Sequence, residues 1–382
     1  MKKLQKLTTI LLLTICAIFP IAAAGQTESQ TPAVTEEITA DSSERTVTVT
    51  DMSGDTVTID GEIKKIINLW PSATSSFFVI GAGDLLTGLA VNTPAVINSW
   101  TQLLYPGSTD IPAFGGISPS IEEIVNMDPD LVIVHPMTIK SGYAQQIRDI
   151  GIPAINIYFR DYESMTKAYT ILGEVLGGEY QEKLIDWNAA LDSRLSKIRE
   201  LTEHISNEDR PVVYYTTGSA EKLTETMEAN SIFSDWVESA GGYYAGRLMG
   251  ENVRETTAEE VFKINPDIII CGGVNQHVAK HALETKTGWK ELDAVKNNRI
   301  YTNPYGCFAW DRFGLESLLQ IHYALYMIQP EIAAAAGITK DSLIDDVTDF
   351  YNTYTNFSLS RTQAENMLNG LQPDGTVEIP VQ

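Results

Sequence analysis

Two hydrophobic patterns alternate along this chain. Short runs of consecutive apolar residues, such as 131–134 and 268–270, are typical of strands that are buried on both faces of a parallel sheet. Between these runs, apolar residues recur every three or four positions, as expected for helices with one buried face. Strands that alternate with helices predict an α/β fold with parallel, doubly wound sheets.

The longest helical pattern lies in the middle of the chain. Apolar residues at steps of three or four predict a long helix here, preceded by a shorter one at 162–176 and a Gly177-Gly178 break. The residues of this stripe are Leu184, Trp187, Leu191, Leu195, Ile198, Leu201 and Ile205. A helix of about 27 residues would span roughly 40 Å. This length predicts a rigid connector between two lobes, each resembling a Rossmann unit.

The two halves of the chain repeat one design. Ser-Ile-Glu-Glu-Ile-Val at 120–125 is followed by Asp-Pro-Asp-Leu-Val-Ile at 128–133. Thr-Ala-Glu-Glu-Val-Phe at 257–262 is followed by Asn-Pro-Asp-Ile-Ile-Ile at 265–270, with the same internal spacing. Chance similarity between two helix–proline–strand units is the alternative. We expect Ser118 to cap the first of these helices, with Pro119 in its first turn.

Several shorter elements are predicted from local pattern. Alternation at 46–50 and 56–59 around Gly54 indicates a hairpin. Further strands are expected at 66–70, 89–91, 155–159 and 212–215. Tyr243-Tyr244 with Arg247 is a further candidate ligand-binding loop, with an exposed hairpin or turn as the alternative.

Two similar lobes joined by a connector imply a cleft between them. Ligands of open α/β sheets bind beyond the carboxyl ends of the strands. The predicted organisation is a signal peptide (1–24), a disordered Thr/Ser/Glu-rich linker (25–45), an N-terminal lobe (46–161), a helical connector (162–206), a C-terminal lobe (207–330) and C-terminal helices that pack on the lobes (331–382).

The N-terminus predicts export. Three lysines precede an apolar stretch at 11–21 and the sequence Ala22-Ala23-Ala24, after which we expect cleavage. The protein would then lie in a periplasm or on the outer face of the cytoplasmic membrane. An uncleaved membrane anchor is the alternative. Lipid attachment at Cys16 is disfavoured because Ile15 stands where a small residue is expected.

Charge and motifs narrow the function classes. A formal net charge of −23 opposes binding to nucleic acid. Gly-x-Ser-x-Gly, His-Glu-x-x-His and the phosphate-binding loop are absent from the sequence, so no catalytic set is recognised and we expect no enzymatic activity. Cys271, His277 and Cys307 lack the spacing of a metal site, and we expect neither a resident metal nor a cofactor.

Several motifs together resemble a known family. These are the two helix–Pro-Asp–strand units, the connector, the segment 289–301, Trp310-Asp311-Arg312 and the closing segment 350–360. In this order they are similar to the periplasmic binding proteins of iron-complex and cobalamin importers, from about Val47 to the C-terminus. The resemblance implies a two-lobed monomer that captures a metal chelate as cargo and delivers it to an ABC transporter permease and its ATPase.

The resemblance also implies roles for two glutamates. Glu122 and Glu259 occupy matching positions, one in each lobe, where family members contact arginines of the permease. One exposed carboxylate on each lobe could set the register of a partner. Alternatively, each is a helix-favourable acid near a positive helix N-terminus.

Candidate ligand contacts are the residues that follow each strand. Aromatic walls with a few arginines suit broad, partly apolar chelates such as ferric siderophores, haem or cobalamin. The candidates are Trp70, His135, Tyr158, Arg160, Tyr215, Asn275, Tyr305, Trp310 and Arg312. Each has a plain structural alternative: the aromatic residues could pack in the core, His135 could be a loop histidine, and each arginine could pair with the adjacent aspartate.

Two functions of other classes remain open at this stage. A chelate-processing enzyme, such as a chelatase or reductase, would need a titratable pair in the cleft and turnover. A surface sensor would pass the ligand state to a membrane receptor.

Overall fold

The computed structural model describes residues 45–93, 96–312 and 314–377. The predicted signal peptide (1–24) and residues 25–44 of the predicted linker lie outside these ranges. No helix within the described ranges is both long and apolar enough to cross a membrane.

The N-terminal half forms a hairpin and a four-stranded sheet. Strands β1 (Thr46–Thr50) and β2 (Thr56–Asp60) pair antiparallel, as predicted. The sheet is parallel, with the order β4–β3–β5–β6, and its strands are β3 (Ile66–Asn68), β4 (Leu86–Leu89), β5 (Leu131–Val134) and β6 (Ala154–Asn156). The helices of this half are α1 (Pro71–Val79), α2 (Ser99–Leu104), α3 (Ile121–Met127) and α4 (Tyr143–Arg148), with 3-10 turns at Gly83–Leu85, Pro106–Asp110 and Pro136–Ser141.

The C-terminal half forms a second parallel sheet. Its order is β10–β9–β7–β8, from the strands β7 (Val212–Thr216), β8 (Tyr243–Tyr244), β9 (Ile268–Cys271) and β10 (Ile300–Thr302). Counted by order of appearance, both sheets read 2-1-3-4. The predicted pair of parallel, similarly built lobes is therefore confirmed at the level of topology.

Helices complete the second lobe and the connector. The connector consists of α5 (Tyr162–Leu176) and α6 (Gly178–Thr202), separated at Gly177 as predicted. The remaining helices are α7 (Ile232–Ser239), α8 (Gly246–Met249), α9 (Ala258–Ile264), α10 (Gln276–Thr285), α11 (Asp293–Lys296), α12 (Ser317–Ile328), α13 (Pro330–Ala335), α14 (Lys340–Tyr354) and α15 (Arg361–Leu368), with a 3-10 turn at Trp289–Glu291.

Both sheets are covered on two faces. Alternate residues of β5 enter different hydrophobic clusters, because neighbouring side chains on a strand point to opposite faces. Ile133 joins the large cluster that continues through α6 into the C-terminal lobe, whereas Val132 joins a separate cluster with Ile124 of α3. The connector is therefore part of a continuous core: Trp187 of α6 is fully buried, and its indole N–H donates to the Leu315 carbonyl at 2.7 Å.

The repeated unit has the same local chemistry in both lobes. Asp130 Oδ2 accepts hydrogen bonds from the backbone N–H groups of Lys64 and Lys65, at 2.7 and 2.8 Å. In the second lobe, Asp267 Oδ2 accepts from the N–H of Val212 at 2.7 Å. The aspartate of each Pro-Asp pair thus anchors the start of the first strand of its sheet to the start of the third.

Some local predictions were wrong. The N-cap of α3 is Ser120 rather than Ser118, because Ser120 and Glu123 form a capping box in which each side chain bonds the other's backbone N–H. The strand expected at 89–91 lies at Leu86–Leu89, and the strand expected at 155–159 ends at Asn156. Tyr243 and Tyr244 form the edge strand β8 beside β7 rather than a loop.

The C-terminal segment contacts both lobes. The indole N–H of Trp100 in α2 donates to the Leu371 carbonyl at 2.9 Å. On the other side, His277 Nε2 lies 2.9 Å from the Gly370 carbonyl. Gly370 and Leu371 therefore form a link between the lobes in addition to the connector.

Candidate functional site

Loops that follow the strands of the two sheets contact each other. Arg160 follows β6, and its carbonyl accepts from the N–H of Ile232 in α7 at 2.7 Å. Asn98 of the first lobe donates from Nδ2 to the carbonyls of Gly306 and Cys307, each at 3.0 Å, in the loop after β10. The loops that follow the strands thus meet across what we call the inter-lobe cleft.

One cluster of polar side chains stands at the carboxyl edge of the second sheet. Tyr215 of β7 donates its hydroxyl hydrogen to Asp311 Oδ2. Arg312 donates from Nε to Asp311 Oδ1 and from Nη2 to the Tyr215 oxygen, both at 2.8 Å. The Asp311 side chain is fully buried, whereas the Arg312 side chain is 23% exposed. We call these three residues the Arg312 network.

The Arg312 network depends on a glycine and an aromatic ring. A Cβ atom at Gly272, just after β9, would lie 1.9 Å from the Tyr215 hydroxyl and 2.2 Å from Asp311 Oδ2. Only glycine fits such a close approach. The Arg312 guanidinium lies 5.9 Å from the centroid of the Phe233 ring, within cation–π range.

Burial and the neighbouring charges act on the protonation of Tyr215 and Arg312. Burial raises the pKa of Tyr215 well above its usual range, so its hydroxyl remains neutral. Burial works to lower the pKa of Arg312, but the Asp311 carboxylate outweighs it and the pKa lies above its ordinary value. The network is therefore an ion pair with a neutral phenol.

The candidate residues of the first lobe differ in how exposed their side chains are. The Trp70 ring lies 4.4 Å from that of Phe159, and only 5% of Trp70 is exposed. Tyr158 is half-buried. The Arg160 side chain is 71% exposed and pairs with Asp161 at 3.2 Å. The structure thus exposes the Arg160 side chain and leaves Trp70 mainly in the core.

The other candidates differ in accessibility. His135 is half-buried, its Nδ1 accepts from the N–H of Met137 at 3.1 Å, and burial lowers its pKa. Asn275 is half-buried at the start of α10. Tyr305 and Trp310 are almost fully buried. Of the nine predicted ligand contacts, Tyr215 and Arg312 touch each other directly, and the ligand role of all nine stays a prediction.

Sequence reasoning missed a buried carboxylate next to the cleft. Glu316 is 1% exposed, and it accepts from the N–H groups of Cys307 and Phe308 at 2.7 and 2.8 Å and from the Tyr351 hydroxyl. Burial raises its pKa to about 7, against the lowering effect of these hydrogen bonds. A Cβ at Gly306 would lie 1.9 Å from Glu316 Oε1, and this lone glycine was the available sequence signal.

Glu316 shapes the loop that reaches the first lobe. Its two oxygens bind consecutive backbone N–H groups of the loop 305–309, which orients the loop carbonyls toward Asn98. Asn98 is itself buried and caps α2 through Thr101. A carboxylate in the second lobe thus sets a contact between the lobes.

The described residues contain no group of three or more His, Cys, Asp or Glu side chains placed to hold a metal ion. Cys271 and Cys307 are both buried and free. Burial raises the pKa of the Cys271 thiol to about 12, so it stays protonated.

The structure distinguishes the two glutamates of each repeated pair. Glu123 and Glu260 fold back to cap α3 and α9. Glu122 and Glu259 are exposed and have no polar partner within the described ranges. Because a helix between parallel strands runs back across the sheet, these first turns lie at the edge where the strands end. Both free carboxylates therefore stand on the side of the cleft.

Comparison with known proteins gives consistent results. A family model described as "Periplasmic binding protein" matches residues 85–305. The ABC transporter substrate-binding lipoprotein YvrC of Bacillus subtilis is 28% identical over 270 residues, which is 67% of this chain and 77% of that protein. A cobalamin-binding protein of Halobacterium salinarum is 24% identical over 271 residues, covering 69% of this chain and 68% of that protein.

A solved structure has the same fold. The periplasmic solute binding protein of Veillonella parvula superposes with a TM-score of 0.72 at 22% identity, covering 85% of this chain and 97% of that one. At this identity the likeness concerns the fold, and it agrees with two lobes built on parallel sheets.

Proposed function

The chain belongs to the periplasmic binding protein family, and on that premise we propose that it captures a metal chelate in the inter-lobe cleft and delivers it to an ABC importer. The family consists of substrate-binding proteins, so the chain is a binding protein rather than an enzyme, as predicted. It works outside the cytoplasm with a membrane permease and its ATPase. The chain acts as a monomer in this proposal.

The observation that carries the proposal is that the loops at the carboxyl ends of the two sheets meet between the lobes. Two parallel sheets of equal topology present their loops to one cleft, which is where α/β sheets bind ligands. Within it, the Arg312 network holds a partly exposed guanidinium in a fixed orientation. The cobalamin-binding relative supports a metal chelate as cargo, with haem and ferric siderophores as further candidates.

The proposed ligand contacts are those predicted from the strand ends. They are Trp70, His135, Tyr158, Arg160, Tyr215, Asn275, Tyr305, Trp310 and Arg312. Arg312 is the central member, because its side chain is both ordered by two partners and reachable from solvent.

Ligand-induced stabilisation tests the part of the proposal that concerns chelate binding. A chelate at one hundred times its Kd should add about 2.7 kcal/mol to the free energy of unfolding, which raises Tm by several degrees. The purified exported form would be heated with cyanocobalamin, haem and ferrioxamine B in turn, and any co-purified ligand identified by native mass spectrometry. The proposal fails if none of these chelates raises Tm and no chelate co-purifies.

The part of the proposal that concerns docking to the permease rests on Glu122 and Glu259. One free carboxylate on each lobe would pair with cationic side chains of the permease and set its register. Reversing both charges, as Glu122→Arg with Glu259→Arg, should abolish uptake into proteoliposomes that contain the importer, while ligand affinity is unchanged.

A matched control uses the connector. Glu182 and Glu200 are exposed on α6, so Glu182→Arg with Glu200→Arg makes the same change in net charge away from the proposed docking edge. We expect this double variant to keep uptake. Equal loss of uptake in both double variants would attribute the effect to net charge, and loss of ligand affinity would place Glu122 and Glu259 in the pocket.

A further inference from the structure

The charge balance of the cleft leads to a statement about its ligand. We infer that the chelate held here is neutral or cationic and is recognised through hydrogen-bond acceptors such as amide carbonyls, rather than being a polyanion. This inference rests on the proposed function and adds the ligand class.

Each arginine of the loops that follow the strands has an acidic partner. The pairs span both lobes and include the two arginines predicted as ligand contacts. The pairs are Arg160 with Asp161, Arg254 with Glu228 and Arg312 with Asp311. These arginines therefore add no net positive charge to the described loops of the cleft.

The remaining basic side chains of these loops do not change this balance. Lys222 pairs with Glu225 at 2.9 Å. Lys140 is exposed at the end of the turn after β5, where water and salt screen its charge within about 8 Å. His135 is neutral near pH 7, because burial lowers its pKa.

Arg312 nevertheless offers a hydrogen-bond donor. Its Nε and Nη2 atoms bind Asp311 and Tyr215, whereas Nη1 has no hydrogen-bond partner within the described ranges. A guanidinium neutralised by a buried carboxylate can donate to a carbonyl oxygen without requiring a charge on the ligand. Amide-bearing macrocycles and hydroxamate chelates present such oxygens.

The charge of the whole chain works in the same direction. A protein with a formal charge of −23 repels polyanions at long range, and uncompensated cations in the site would be needed to offset this repulsion. With its arginines already paired, this cleft lacks that compensation. A ferric carboxylate complex would meet repulsion without a matching attraction.

Affinities for a charge-graded panel test the inference. Isothermal titration of the purified exported form would compare cyanocobalamin, which is neutral, ferrioxamine B, which is cationic, and ferric citrate, which is anionic. We expect a neutral or cationic chelate to bind at least about tenfold tighter than ferric citrate, with little change between low and high salt. Tightest binding of ferric citrate, weakening steeply with salt, would overturn the inference. Failure of all three chelates to bind would count against the proposed function instead.

Replacing the acidic partner of each arginine by its uncharged amide tests whether the pairing sets the ligand class. Asp161→Asn keeps a good N-cap residue on α5 and removes the acidic partner of Arg160. Asp311→Asn does the same for Arg312 and retains an acceptor for the Tyr215 hydroxyl. Either variant should bind ferric citrate several-fold tighter than the unchanged protein.

The matched control is Asp186→Asn. Asp186 is exposed on α6, so this variant makes the same change in net charge on the connector. We expect its affinity for ferric citrate to be unchanged. If the Asp161 variant folds and gains no more affinity for ferric citrate than the control, the pairing of arginines does not set the ligand class.

Discussion

Glu316 should make the stability of this protein fall as pH rises through neutrality. Burial raises the pKa of this carboxyl from 4.5 in an unfolded chain to about 7 in the fold. Between these values the folded state holds a proton that the unfolded state has lost, so stability is favoured by protonation. The contribution is complete below pH 4.5 and is lost as the pH rises through about 7.

The size of the change in the free energy of unfolding follows from the pKa shift of Glu316. The change from 4.5 to about 7 corresponds to roughly 3 kcal/mol in the free energy of unfolding. Three hydrogen bonds from Cys307, Phe308 and Tyr351 favour the charged form, but full burial outweighs them. Burial also raises the pKa values of Cys307 and Tyr351 well above their usual ranges, so neither titrates in this window.

A difference measurement isolates the contribution of Glu316. Urea unfolding of the unchanged protein and of Glu316→Gln would be followed across the window from pH 4.5 to neutrality and slightly above. Glutamine does not titrate, and the other groups titrate in both proteins, so the difference reports Glu316. We expect the advantage of the unchanged protein to shrink by roughly 3 kcal/mol as the pH rises.

Two outcomes would refute this reasoning. A difference that stays constant with pH would mean that the carboxyl has the same pKa in the folded and unfolded states. A difference that grows with pH would mean that the hydrogen bonds from the loop outweigh burial, so that the carboxylate is the favoured form.

Two glycines give further predictions. Gly272→Ala should destabilise the fold by about 3 kcal/mol and weaken chelate binding, because the new methyl group would overlap Tyr215 and Asp311; a variant with unchanged Tm and affinity would contradict the geometry of the Arg312 network. Gly370→Ala should cost about 2 kcal/mol, because φ is +67° there and the Cβ would lie 2.4 Å from Gln276 Nε2. Limited proteolysis should then cut the released C-terminal segment faster, and unchanged cleavage would count against this link between the lobes.

Local pattern was sufficient for much of the fold. The repeated Glu-Glu helix and Pro-Asp turn predicted two similar lobes, and the structure places both units in sheets of the same order. The stripe from Leu184 to Ile198 predicted the connector, and these residues are buried along α6. Such predictions succeed because helix periodicity, caps and turns depend on residues only a few positions apart.

The candidate site was only partly accessible to the same reasoning. Asp311 and Arg312 are neighbours in the chain, so their ion pair was foreseen as an alternative. Tyr215 completes the network from 96 positions away, and that contact exists only because β7 and the loop after β10 meet. Glu316 escaped notice because Gly306 alone does not indicate which side chain approaches it, and nothing else in the sequence shows that this acid is buried.

By itself, the sequence determined the alternation of strands and helices, the two matched lobes, the connector and the family. The tertiary structure alone decided which glutamate of each pair is free, which arginines are neutralised and how Glu316 holds a loop of the cleft. The physical reason is how far apart along the chain the interacting residues lie. Backbone hydrogen bonding and hydrophobic periodicity act between near neighbours, whereas burial and ion pairing depend on contacts between distant segments that only the folded chain brings together.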